Sequence, residues 1–159
     1  MMMNATLSNE ITTQVLTDRY TAVVRDELPA DELPAWLAGV CRTVRDYLTR
    51  TGVPPIGPPF ARYAFLGPVV AVEAGFPVPR EIPGDGLVEP STLPDGQAAV
   101  TVHWGPYEDL EKAYLACRHW LDSHGYEPAG PHWEVYHTDP FAEPDPARWR
   151  TDVVVPYRT

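Results

Sequence analysis

The chain has 159 residues, a formal net charge of −10 and 44% hydrophobic residues, which fits one domain long enough to bury a core. Lys112 is its single lysine and no basic stripe is present, so direct nucleic-acid binding is not expected. No run approaches the roughly 18 consecutive apolar residues of a membrane span. Met1-Met2-Met3-Asn4 leads into polar residues without a signal-peptide pattern, so the expectation is a cytoplasmic protein with no membrane contact.

The first ten residues read as frayed. Ile11 to Leu16 and Tyr20 to Arg25 are β-prone. Asp31 is a candidate N-cap for a helix that tolerates Pro34 in its first turn. Leu33, Leu37, Val40, Cys41, Val44 and Leu48 recur at spacings of three and four, one apolar stripe, and Gly52 stops the helix. Phe60 to Leu66 and Val69 to Phe76, joined at Gly67-Pro68, read as a hairpin. Leu87 to Leu93 reads as an irregular edge strand. Gln97 to His103 is a strand, and Gly105-Pro106 marks a second helix with Pro at its first position. Leu110, Ala113, Tyr114, Cys117, Trp120 and Leu121 form the apolar face of that helix, which Gly125 ends. His132 to Thr138 and Thr151 to Tyr157 close the chain as strands. Cys41 and Cys117 both fall on apolar helical positions and read as small buried hydrophobes in a reducing compartment.

One segment occurs twice. Gly52-Val53-Pro54-Pro55-Ile56-Gly57-Pro58-Pro59-Phe60-Ala61-Arg62-Tyr63 returns as Gly125-Tyr126-Glu127-Pro128-Ala129-Gly130-Pro131-His132-Trp133-Glu134-Val135-Tyr136, with a constant offset from Gly52/Gly125 through Phe60/Trp133 to Tyr63/Tyr136. Such self-similarity means two copies of one supersecondary unit. The expected fold is α+β: a duplicated strand–helix–strand–strand unit in a single domain over 1–159. Its halves run over about 11–93 and 95–159, building a curved antiparallel sheet with two helices and a pseudo-two-fold central pocket.

The copies differ where Ala61 in the first becomes Glu134 in the second. Residues two apart in a strand share a face, so His132, Glu134 and Tyr136 lie together, with Ala61 and Tyr63 as the matching pair. A buried carboxylate is costly unless compensated. Two readings stand side by side: a group held for a cationic ligand or a water, or an exposed strand residue paired to Arg62 or Arg150. Tyr107 is either a staple residue or a pocket residue. Glu73, mid-strand, is an edge-strand guard or a second pocket carboxylate. The histidine pairs His119/His124 and His132/His137 are five apart, which does not suit a helical zinc pair; no metal or cofactor is expected.

Three further segments complete a pattern: Val72-Glu73-Ala74-Gly75-Phe76-Pro77-Val78, His103-Trp104-Gly105-Pro106-Tyr107-Glu108, and Gly130-Pro131-His132-Trp133-Glu134-Val135-Tyr136 with Arg150-Thr151-Asp152 after it. Together with Gly57-Pro58-Pro59-Phe60-Ala61-Arg62-Tyr63 they resemble the GyrI-like superfamily, over nearly the whole chain from about Ile11. That family includes effector-binding domains of AraC- and MerR-type drug-responsive regulators, a gyrase-inhibitory protein and stand-alone small-molecule binders. The resemblance implies an aromatic pocket that receives planar, often cationic compounds. Glu134 matches the family's pocket glutamate with Tyr136 beside it, and Tyr63, Phe76 and Tyr107 match its aromatic wall. Some stand-alone members that this chain resembles hydrolyse the strained cyclopropane of DNA-alkylating natural products; if this chain does the same, the resemblance implies Glu134 and Tyr136 as catalytic residues. A third class is an inhibitory partner of DNA gyrase. Full-length regulators add a helix-turn-helix region, for which this chain has no room, so a stand-alone member is the expectation.

Overall fold

The computed structural model describes residues 10–159, so the frayed start expected for the first ten lies, Glu10 apart, outside the described residues. In chain order the elements are β1 (Thr12–Leu16), β2 (Arg19–Pro29), α1 (Leu33–Thr51), β3 (Phe60–Leu66), β4 (Val69–Pro77) and β5 (Glu89–Leu93). Then follow β6 (Gly96–Trp104), α2 (Leu110–His124), β7 (Glu127–Pro128), β8 (Trp133–Tyr136) and β9 (Arg150–Arg158). They form two compact units, Thr17–Asp95 and Gly96–Thr159, the latter completed by the segment up to Leu16. The fold is α+β, with one helix and antiparallel strands in each unit.

The two units share a plan. In Thr17–Asp95 the strand order is β5-β2-β4-β3, and in Gly96–Thr159 it is β1-β6-β9-β8, with the short β7 also on β9. In each, the last strand of the repeat lies between the strand before the helix and the strand after it. β1, which the sequence attaches to the first copy, pairs with β6 from Thr12↔Val100 to Leu16↔Gly96.

Both helices stop in the same way. Gly52 and Gly125 are left-handed C-caps at φ 70° and 71°, a conformation glycine adopts without a Cβ penalty. The next amide returns to the last turn in each: Val53 N–H to Leu48 C=O at 3.0 Å, and Tyr126 N–H to Leu121 C=O at 2.9 Å. The starts depart from the sequence reading. Asp31 makes no cap; it lies in a 3-10 turn, Ala30–Glu32, and α1 begins after it with Pro34 in its first turn. Pro106 is not the first helical residue either, because a 3-10 turn, Tyr107–Asp109, separates it from α2. In both copies a proline in extended geometry, Pro29 or Pro106, opens the 3-10 turn.

α2 buries Leu110, Ala113, Cys117 and Leu121 against Ala99, Val153, Val155 and Tyr157, and α1 buries Val40, Val44, Tyr47 and Leu48. Cys117 is fully enclosed and burial pushes its thiol up to about 12; Cys41 is only half-buried. Glu73 is no edge guard, since β4 is flanked by β2 and β3. Its carboxylate accepts from Arg25 Nε at 3.0 Å and from the Ser91 hydroxyl at 3.2 Å, a cross-strand network on the sheet. No helix among the described residues is long and apolar enough to cross a membrane.

Two glycines serve different ends. A Cβ on Gly75 would collide with the Ala22 backbone carbonyl of the neighbouring strand, whereas a Cβ on Gly125 meets no atom but sits at positive φ. Gly75→Ala is expected to destabilise by on the order of 3 kcal/mol and Gly125→Ala by about 1 kcal/mol. Urea denaturation of the two variants checks that order.

Candidate functional site

The site is built on β8. Glu134 stands opposite Val153 and Tyr136 opposite Thr151 on β9, and directly opposed residues share a face. Val153 belongs to the core packed against α2, so Glu134 and Tyr136 project to the α2 side of the sheet. Trp133 alternates to the other face, where it is fully buried; Trp104 is 63% exposed on that same face. In the first copy the position of Glu134 is held by Ala61, which is completely enclosed opposite Ala74. One unit therefore fills this place with a methyl group and the other with a carboxylate.

The Tyr136 hydroxyl donates to Glu134 Oε1 at 2.8 Å. The bond satisfies one lone pair of the carboxylate and so offsets part of the cost of holding it on the helix-facing side. The Tyr107 ring lies 5.7 Å from that of Tyr136 in an edge-on arrangement and 5.0 Å from that of Trp149. Tyr107 is held there by its approach: Gly105 N–H donates to Trp149 C=O at 2.9 Å, and the Pro106 carbonyl meets His103 Nε2 at 3.0 Å. Trp149 is fixed by its indole N–H, which donates to Glu143 C=O at 2.8 Å.

On the other side of Glu134 along the chain, His132 stacks on Tyr114 of α2 with ring centroids 4.2 Å apart. Arg118, one turn further along α2, donates from Nη1 to the Tyr114 hydroxyl at 2.8 Å. Burial, reinforced by the Arg118 charge, pushes the His132 ring down to about 4. Arg150, a candidate partner for Glu134 in the sequence, is engaged by Asp152 at 3.1 Å, and Asp152 also meets His137 at 3.0 Å.

The structure thus brings Glu134, Tyr136 and Tyr107 together within one unit. Tyr63 and Phe76 belong to the other unit. Tyr63 is buried opposite Val72 on β3. Phe76 is buried with the Arg45 guanidinium 5.3 Å over its ring, and it lines a groove of about 400 Å3 with Leu48, Val53 and Pro54. Three residues around the cluster were not singled out by sequence reasoning as site residues: Trp149 beside Tyr107, Tyr114 beside His132, and Arg118 beside Tyr114. Tyr114 and Arg118 were open to detection, because an aromatic and an arginine four apart on a helix share a face.

The family model for the GyrI-like small molecule binding domain matches residues 69–158, and the chain belongs to that family. No curated protein matches in sequence. The C-terminal domain of EcmrR is similar in structure at a TM-score of 0.83 and 16% identity, covering 95% of this chain and 98% of that one. The chain spans only 58% of the EcmrR chain seen in its DNA complex. SAV2435, solved bound to tetraphenylphosphonium, is similar at a TM-score of 0.62 and 10% identity, covering 94% of each chain. A hydrolase from Listeria innocua is similar at 0.62 and 11% identity, covering 95% of this chain and 93% of that one.

His132 also makes stability depend on pH. Its folded-state value lies below its ordinary 6.5, so the unfolded chain binds the extra proton first and stability falls as pH drops from about 6.5 towards about 4. His132→Asn is expected to remove up to about 3 kcal/mol of that decline. Denaturant midpoints of wild type and variant at pH 7.5 and pH 4.5 check this: the gap between the two pH values should narrow in the variant.

Proposed function

We propose that this protein binds planar, hydrophobic, cationic small molecules at the aromatic cluster around Glu134. The observation that carries the reading is the Tyr136–Glu134 hydrogen bond at 2.8 Å beside the Tyr107 and Trp149 rings. An ionised carboxylate supplies the charge term, and each aromatic face contributes stacking and cation–π attraction of about 0.5–2 kcal/mol. Membership of a small-molecule binding family supports it, as does a structural relative holding the hydrophobic cation tetraphenylphosphonium.

A cationic rhodamine dye is expected to quench tryptophan fluorescence saturably, with Trp149 closest to the site. Glu134→Gln should weaken the cation by about tenfold while leaving a neutral dye of similar shape within about twofold, since only the charge term is lost. Equal weakening of both dyes would remove Glu134 as the electrostatic anchor.

The same hydrogen bond favours a second reading, hydrolysis of cyclopropane-bearing alkylators. The Glu134 carboxylate, held by Tyr136, serves as base for water: the water oxygen bonds to the electrophilic ring carbon while Glu134 takes its proton. The ring carbon–carbon bond opens, and its electron pair is protonated after passing into the conjugated acceptor. On this reading Glu134→Gln retains affinity for a neutral cyclopropanoid but loses turnover by about 100-fold or more, and Tyr136→Phe loses less. Mass spectrometry of the water adduct decides: no adduct with wild type leaves the binder reading alone.

A further inference from the structure

Among the described residues Arg118 has no carboxylate partner. Arg25, Arg50, Arg62, Arg148, Arg150 and Arg158 each meet a carboxylate, whereas Arg19, Arg42, Arg45, Arg80 and Arg118 form no ion pair among the described residues; of these five, Arg118 is the one bonded to a tyrosine hydroxyl. Arg118 is half-buried, and among the described residues it forms no ion pair, although the chain holds 22 acidic residues against 12 basic ones. Its Nε is sealed from solvent with no acceptor. Among the described residues its hydrogen bond goes to the Tyr114 hydroxyl, which spends an oxygen lone pair on it and keeps its own proton to donate. Holding a partly desolvated guanidinium unpaired costs free energy that a carboxylate from elsewhere would recover.

Its position relates it to Glu134. The Tyr114 ring stacks on His132, and His132 lies two residues before Glu134, just ahead of β8. His132 stays neutral, so the positive charge at this end is that of Arg118. A negative group and a positive group thus both lie near His132, each bonded to a tyrosine hydroxyl.

We propose that Arg118 and Tyr114 form an anion subsite, and that the favoured ligand is a zwitterion whose planar body carries a cationic end for Glu134 and a carboxylate for Arg118. The Arg118 part rests on the Glu134 reading for the cationic end only.

Two rhodamines that share a cationic xanthene separate these terms: rhodamine B, with a free carboxylate, and rhodamine 6G, its ester-bearing analogue. Wild type is expected to bind the free acid roughly tenfold tighter, the worth of one charge-assisted hydrogen bond, with the preference falling to about one in Arg118→Gln and returning in part in Arg118→Lys. Rhodamine 6G affinity within about twofold of wild type shows that Arg118→Gln keeps the fold. Equal affinity for both dyes in wild type, or a preference that survives Arg118→Gln, overturns the subsite and leaves the cation reading standing. A third probe, 1-pyrenecarboxylate, has no cation. If neither rhodamine binds but pyrenecarboxylate does, and Arg118→Gln abolishes it, the Glu134 reading falls and the anion subsite stands; if pyrenecarboxylate also fails, both fall.

Discussion

The antiparallel register of β8 on β9 is the constraint on which the site depends. Glu134 faces α2 because it pairs with Val153, and a slip of one residue would turn it to the other face and bring Trp133 towards the helix. A fully enclosed tryptophan makes that slip costly, since its large apolar surface would have to leave its place. Trp133 thereby fixes the position of the carboxylate next to it. The same strand segment is short, four residues, and is held at its far end by the His137 amide bonded to the Arg150 carbonyl. Two anchors at the ends of so brief a strand leave Glu134 and Tyr136 little freedom to drift from their 2.8 Å contact.

Duplication supplies the frame, and departure from duplication supplies the chemistry. The glycine caps, the proline-opened 3-10 turns and the strand order coincide in the two copies. α1, at 19 residues, is one turn longer than the 15-residue α2, which is why the paired positions agree at the helix ends but not at the starts. Ala61 and Glu134 occupy the same place in their strands. The first copy keeps an apolar interior there, while the second holds a charge and brings Tyr136, Tyr107 and the Trp149 loop to it.

Much of this was legible in the residues. Gly52 and Gly125 announced the helix ends, the three-and-four spacing found the buried faces, and the alternation of His132, Glu134 and Tyr136 placed them on one side of a strand. What escaped depends on contacts between distant segments. Trp149 comes to Tyr107 through a loop hydrogen bond that no periodicity encodes. Asp31 has the chemistry of a cap, but a 3-10 turn moved the helix start past it. Glu73 looked like an edge charge because its strand neighbours are set by topology, and Arg25 and Ser91 reach it from separate strands. The stack of Tyr114 on His132 joins a helix to a strand that the sequence listed separately.

The pairing of β1 with β6 has a consequence for how the chain is made. Thr12 bonds to the Val100 carbonyl across a sequence separation of 88, and β6 in turn needs β9, which follows it by a helix and two strands. During synthesis the Thr17–Asp95 unit acquires all its strands while β1 still lacks its partner, and closing so long a loop is entropically slow. β1 leaves the ribosome before the other described strands and is thus among the last of them to be satisfied. Its row of unpaired amides is exposed through most of translation, and its composition, Thr12-Thr13-Gln14-Val15-Leu16, with three polar residues in five, is suited to waiting in water without aggregating.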